Sequence, residues 1–216
     1  MAPVPQRRPD GLLVLHGISW PTYSALLNDL EAHPGHRVAF DRGTLEITSP
    51  SELHENLKSV IGRMIEQIVL ELNIECRSAG STTWRREDLA RGLEPDECYY
   101  IANESRVRGR EVNLMVDPPP DLAVEVDITR PGIEKLAIYA ALGVPEVWKF
   151  DGRKLSGFVL DVGGGYREVR QSAAFPFLQL NELERFLNKL PGTTETRLLR
   201  EFRDWVRREF ADRAQP

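Results

Sequence analysis

The stretch Pro120–Phe150, PDLAVEVDITRPGIEKLAIYAALGVPEVWKF, limits the possible folds more than any other part of the chain. A strand-like apolar run over residues 121–128 leads into a helical pattern over 131–142 and then a second apolar run, PEVWKF. Runs rich in Val, Ile and Leu at this length suit strands buried on both faces, so the first is expected to lie centrally in a sheet. Strand side chains alternate, which puts Leu122, Val124, Val126 and Ile128 on one face and Asp121, Ala123, Glu125 and Asp127 on the other. Neighbouring acids on the second face stand roughly 7 Å apart. At an effective dielectric of about 20, each ionised pair repels by about 2 kcal/mol. Solvent, an arginine or a metal ion has to offset that repulsion.

The rest of the chain extends the alternation of elements. SWPTYSALLNDLEAH reads as a short helix, and RVAFDRGTLEIT as two alternating runs joined at Asp41-Arg42-Gly43, a good hairpin turn. SPSELHENLKSVIGRMIEQIVLELN is the clearest helix, with Ser49 as its expected N-cap, Pro50 at the first position and Glu52 completing a capping box. Two or three short strands are expected between Ile74 and Asn103, then a polar loop containing NESRVRGRE, and VNLMVDPPP, whose prolines stop any regular element. KLSGFVLDVGGGYREVRQS reads as a hairpin about its three glycines, and two amphipathic helices close the chain. The expected architecture is α/β, a mixed central sheet flanked by helices. Its organisation is a tail over 1–18, one domain over 19–190 and a C-terminal helix over 191–216, with Trp205 and Phe210 turned to a partner face.

Totals exclude several classes. At 216 residues, 41% hydrophobic and 28% charged, this is the composition of a globular protein. No apolar run approaches the roughly 18 residues of a membrane span, and the N-terminus lacks a secretory pattern, so a cytoplasmic protein without a membrane partner is expected. Cys76 and Cys98 are expected to be buried free thiols. The net charge of -5 argues against a general polyanion binder, although one locally basic groove beside an acidic site stays compatible with it.

Several motifs resolve to ordinary structure. Gly163–Gly165 lacks the Lys-Ser/Thr that follows a phosphate loop, so it reads as a turn. His33 and His36 have no partner cluster and read as a loop. No Ser or Cys has a nucleophile's setting. The acidic strand is different. Three carboxylates toward one cleft suit a hard cation such as Mg²⁺. Lys135 begins the helix that follows, where its ammonium can return to the acids. Asp96, after Pro95 at the mouth of another strand, supplies an acid from a second element, although alone it would read as a turn aspartate. Two acids on separate strands with a nearby lysine equip a site for metal-assisted phosphodiester hydrolysis.

With those residues in view, PDLAVEVDITRPGIEKLAIYAALGVPEVWKF resembles the central signature of the Uma-two family of restriction-endonuclease-like proteins, P-D-L-x-x-E-V, a short turn, then K-L-x-x-Y-x-x-x-G-V-x-E-Y-W. DRGTLEITSPSELHE and PDECYYI extend the resemblance, which spans roughly residues 19–190. It implies a PD-(D/E)XK nuclease-like fold, DNA as substrate, and Mg²⁺ or Mn²⁺ held by Asp96 and Glu125, with Asp127 as a third candidate ligand. Lys135 then matches the family's lysine, supplied from the helix instead of from two residues after the glutamate, where this chain has Asp127. His54 matches a recurring histidine and is a cleft candidate. Val147 replaces the usual tyrosine. Expected function is a metal-dependent DNA endonuclease with catalytic Asp96, Glu125 and Lys135, a role compatible with a homodimer, since cutting two strands suits two sites. Its rival is a nuclease-fold module that binds nucleic acid or protein without catalysis, favoured by the acidic net charge and by Asp127.

Overall fold

A computed structural model of the chain describes residues 11–30, 35–80, 82–128, 132–210 and 212. Among the described residues, eleven strands form two sheets. The first is antiparallel throughout, in the order β1-β3-β2-β6-β5, built from β1 (Gly11–Leu15), β2 (Arg37–Asp41), β3 (Thr44–Ser49), β5 (Trp84–Arg86) and β6 (Arg91–Leu93). The second runs β11-β10-β9-β8-β7-β4 and comprises β4 (Arg77–Ser78), β7 (Glu97–Tyr100), β8 (Leu122–Val126), β9 (Glu146–Phe150), β10 (Leu155–Leu160) and β11 (Tyr166–Val169). Among the described residues only β8 and β9 pair in parallel, joined across α4 (Lys135–Leu142), so this sheet is the mixed one expected from the strand–helix–strand segment. Every residue of β8 is buried, as its apolar character required.

Helix α2 (Glu52–Glu71) covers one face of the mixed sheet together with α5 (Leu180–Leu187) and α6 (Glu195–Glu209), and their apolar stripes share a core with Leu122, Val124, Val126 and Trp148. On the other face, α4 lies between the two sheets. Ile138, Tyr139 and Leu142 pack there with Ala123 and Val147 of the mixed sheet and Ala39 and Leu93 of the antiparallel one. Helix α1 (Trp20–Leu30) closes the outer face of the antiparallel sheet over Val38, Phe40 and Leu45. A short helix, α3 (Glu104–Val107), lies in the expected polar loop.

Several local expectations need correcting. Ser49 does not cap α2; it ends β3, opposite Gly11, and Ser51 is the cap, its hydroxyl accepting from the His54 amide. Helix α4 starts at Lys135 rather than at 131, with Glu134 as its cap. Among the described residues four strands, not two or three, lie between Ile74 and Asn103. Residues 11–15, read as the end of a tail, are a strand of the antiparallel sheet. Trp205 is buried and Phe210 packs against it and Phe177, so neither is turned to a partner face. His33 and the residues before 11 lie outside the described residues, while His36 is exposed. Both cysteines are free thiols, Cys98 buried and Cys76 partly so. Among the described residues, no helix is long and apolar enough to cross a membrane.

Candidate active site

The β7–β8 ladder pairs Cys98 with Ala123 and Glu97 with Val124. One further step along that register sets Asp96 against Glu125. Asp96 sits on the bend that leads into β7, and its Oδ2 accepts from the Val126 amide at 2.7 Å. His54, in the first turn of α2, brings Nε2 to 3.2 Å from the same oxygen. Arg37 of β2 places Nε 3.7 Å from Oδ1, and its other nitrogens reach Glu94 at 3.1 Å and Glu55 at 3.3 Å. Burial works to raise the Asp96 carboxyl, but the His54 bond, the Lys135 charge and the Val126 amide outweigh it and hold the group below its usual range.

Glu125 is fully buried. Lys135 Nζ donates to its Oε2 at 2.6 Å, and the Tyr139 hydroxyl donates to its Oε1. Lysine and tyrosine are four residues apart on α4, so both reach from one helix face to one carboxylate. Burial pushes the Glu125 carboxyl up to about 7; Lys135 opposes the shift, while the charges on Asp96 and Asp127 add to it. Burial would lower Lys135, yet the negative charge of Glu125, Asp96 and Asp127 prevails and raises it, so the ammonium stays charged. Tyr139 is held well above its ordinary value by burial and by Glu125.

The other acids of the strand have partners of their own. Asp121 accepts from the Ile101 amide at 2.7 Å and from the Asn103 amide at 2.9 Å, which ties down the turn after β7. Asp127 pairs with Lys149 Nζ at 2.8 Å; Lys149 stands beside Glu125 in the parallel ladder.

The approach to α4 is fixed from the antiparallel sheet. Glu46 of β3 is buried, and its Oε2 accepts from the Gly132 amide at 2.6 Å and the Ile133 amide at 2.9 Å. Gly132 needs its missing side chain. A Cβ there would lie 2.3 Å from Val14 Cγ2 and 3.0 Å from Glu46 Oε2. Lys135 follows two residues after the second of these amides, so β1 and β3 set where the lysine begins.

Asp96, Glu125 and Lys135, singled out from the sequence, thus come together, and His54 joins them through Asp96. Asp127 lies next to them but is engaged by Lys149. Sequence reasoning missed Tyr139, Arg37, Lys149 and Glu46. Tyr139 had a signal, its spacing of four from Lys135, whereas Arg37 and Glu46 arrive from strands far away in the chain. Among the described residues no group of three or more His, Cys, Asp or Glu side chains is arranged to hold a metal ion. The donor chemistry nevertheless fits one particular class. Mg²⁺ takes hard oxygen donors, and it is commonly held by one or two carboxylates with waters and substrate phosphates completing its shell. Asp96 and Glu125 supply such a pair, and the elevated Glu125 carboxyl is a group whose charge a cation would relieve.

The Uma2 family, described as "Putative restriction endonuclease", matches residues 20–195. No curated protein matches the chain.

Proposed function

The chain belongs to the Uma2 family, and from that membership together with the Asp96–Glu125–Lys135 cluster we propose that it is a metal-dependent endonuclease hydrolysing phosphodiester bonds in DNA. The observation that carries this reading is the 2.6 Å contact of Lys135 with a fully buried Glu125 that stands across the ladder from Asp96. Burying two carboxylates side by side is costly without a stated use.

In this reading Asp96 and Glu125 hold Mg²⁺ or Mn²⁺, with the Val126 carbonyl and Asp127 as further donors. The cation, when bound, neutralises phosphate charge and acidifies a bound water. Lys135 is charged, so its Nζ donates rather than accepts. It orients the attacking water and faces the negative charge that develops on the phosphate. His54 and the Val126 amide keep Asp96 ionised and aimed. Tyr139 fixes the rotamer of Glu125. Two copies in a homodimer would give a duplex one site per strand.

Cleavage of supercoiled plasmid with Mg²⁺ or Mn²⁺ tests the proposal. Wild type should cut, and Glu125→Ala and Lys135→Ala should lose activity. Equal cutting by all three would place the activity elsewhere. One observation favours the rival, a non-catalytic binding module: Lys135 and Tyr139 already engage both oxygens of Glu125. Metal binding without cleavage of any DNA would put that reading ahead.

A further inference from the structure

The sheet end that carries Glu125 and Asp127 also opens, on its opposite face, into a cavity of about 740 Å³. Its floor is apolar: Leu57 of α2, Phe150 at the end of β9, and Ile128. Ile128 follows Glu125 by three residues, no more than about 11 Å of extended chain. The cavity and the acidic cluster therefore share one strand end, and α2 links them: Leu53 lines the cavity while the neighbouring His54 contacts Asp96.

The wall carries the carboxylates of Asp151 and Glu195, both engaged by donors, and two polar groups that have no partner among the described residues. Asn56 donates its Nδ2 to Glu195, which Arg63 holds from the other side, and this orients the amide. The carbonyl oxygen of Asn56 has no partner among the described residues. Arg153, on the exposed turn after β9, uses its backbone amide on Asp151 and its carbonyl on Asn188, while its guanidinium makes no hydrogen bond or ion pair among the described residues. An apolar floor selects a flat apolar face, a lone acceptor selects an N–H donor at that ligand's edge, and a lone guanidinium selects an anion. A nucleobase with an exocyclic amine, still joined to its phosphate, has all three.

We propose that this cavity takes one nucleotide of the bound DNA, its base over Leu57, Ile128 and Phe150, its amine at Asn56 and its phosphate at Arg153. The proposal rests on the endonuclease reading of the neighbouring cluster. A base seated there has left the stack, as in enzymes that extrude a nucleotide, and a mismatched or single-stranded base would enter most readily.

The test is an amide NMR titration of the full chain in EDTA, so that no cleavage intervenes. Deoxyadenosine monophosphate should shift the amides of Asn56, Gly152, Arg153 and Thr194 saturably. Arg153→Ala, a surface change, should weaken that binding roughly tenfold, the value of a lost charge-assisted hydrogen bond. Leu190→Trp, which fills the cavity, should abolish it. Equal shifts from inorganic phosphate alone, or nucleotide shifts elsewhere or nowhere, would overturn the proposal. A short duplex with one mismatch, titrated into Glu125→Gln, separates the two readings. Shifts at Val126 and Lys135 with a silent cavity would sink the nucleotide site and leave the endonuclease standing. Mononucleotide in the cavity without any duplex binding would sink the endonuclease, and with it the assignment of the cavity to DNA.

Discussion

Removing the Glu46 carboxylate should unfasten α4 from the antiparallel sheet. The wild-type side chain is buried and satisfies the amides of Gly132 and Ile133 with one oxygen. A hydrogen bond to a charged partner contributes about 1.5–3 kcal/mol, and a buried amide left without an acceptor costs a similar amount. Glu46→Ala removes the acceptor for both amides, so we expect about 3–5 kcal/mol of destabilisation, allowing for water entering the space. Against a total stability of about 5–15 kcal/mol, that is a large loss. Glu46→Gln retains a carbonyl acceptor and loses only the charge assistance, about 1–2 kcal/mol. Urea denaturation near neutral pH measures both. The same clasp determines where Lys135 begins, so plasmid cleavage should fall with Glu46→Ala and largely survive Glu46→Gln. A loss below about 1 kcal/mol for Glu46→Ala, or identical losses for the two variants, would refute the reasoning.

Gly132→Ala should destabilise by about 1–3 kcal/mol in the same denaturation assay, because its Cβ would stand 2.3 Å from Val14 Cγ2. Tyr139→Phe removes the hydroxyl that donates to Glu125 and should cost about 2 kcal/mol in EDTA, with a smaller loss once Mg²⁺ is added. The Glu125 carboxyl, ordinarily near 4.5 and pushed up to about 7 in the fold, should make the metal-free protein less stable as pH rises. Between those values the folded state holds a proton that the unfolded state has released, so this group's contribution is full below 4.5 and lost as pH climbs through about 7, about 3 kcal/mol in all. Urea stability of Glu125→Gln compared with wild type across that window should show a flatter pH dependence; equal slopes would refute it.

Much of this was legible in the sequence, for physical reasons that also explain the gaps. The strand–helix–strand segment announces itself because a parallel pair covered on both faces is rich in apolar residues, and β8 and β9 are, apart from Glu125, Glu146 and Lys149. Asp96, Glu125 and Lys135 stood out because charged groups are conspicuous beside such a strand. Contacts between distant segments were not legible. The β1 strand owes its existence to pairing with β3, and the same pairing places Ser49 at the end of a strand, leaving Ser51 to cap α2. Glu46 lies 86 positions from Gly132, and by holding the Gly132 and Ile133 amides it delays the start of α4 to Lys135. The stripe of α6 that includes Trp205 looked available to a partner; α2 and α5 cover it in the common core. Periodicity identifies an apolar face without identifying what meets it.

The acids of β8 and its flanks pose an electrostatic problem that the fold solves separately for each. Asp121 is met by backbone amides, Asp127 by the lysine of the adjacent strand, and Glu125 by a lysine and a tyrosine from the crossover helix. Three acids in a row therefore do not by themselves point to a metal; ordinary partners suffice for two of them. Glu125 differs because burial and the neighbouring carboxylates leave it elevated even with Lys135 in contact. Its balance is incomplete, whereas Asp96 across the ladder is held ionised. A second positive charge at that pair would complete the neutralisation and loosen the hold of Glu125 on the ammonium. Lys135 keeps 14% of its side chain exposed, so the nitrogen that balances the buried acid is also the one that can turn to a phosphate. The arrangement favours Asp96 and Glu125 over Asp127 as the proposed metal-binding pair, and it makes the lysine's position on a helix, two residues beyond a clasped loop, part of that proposed site.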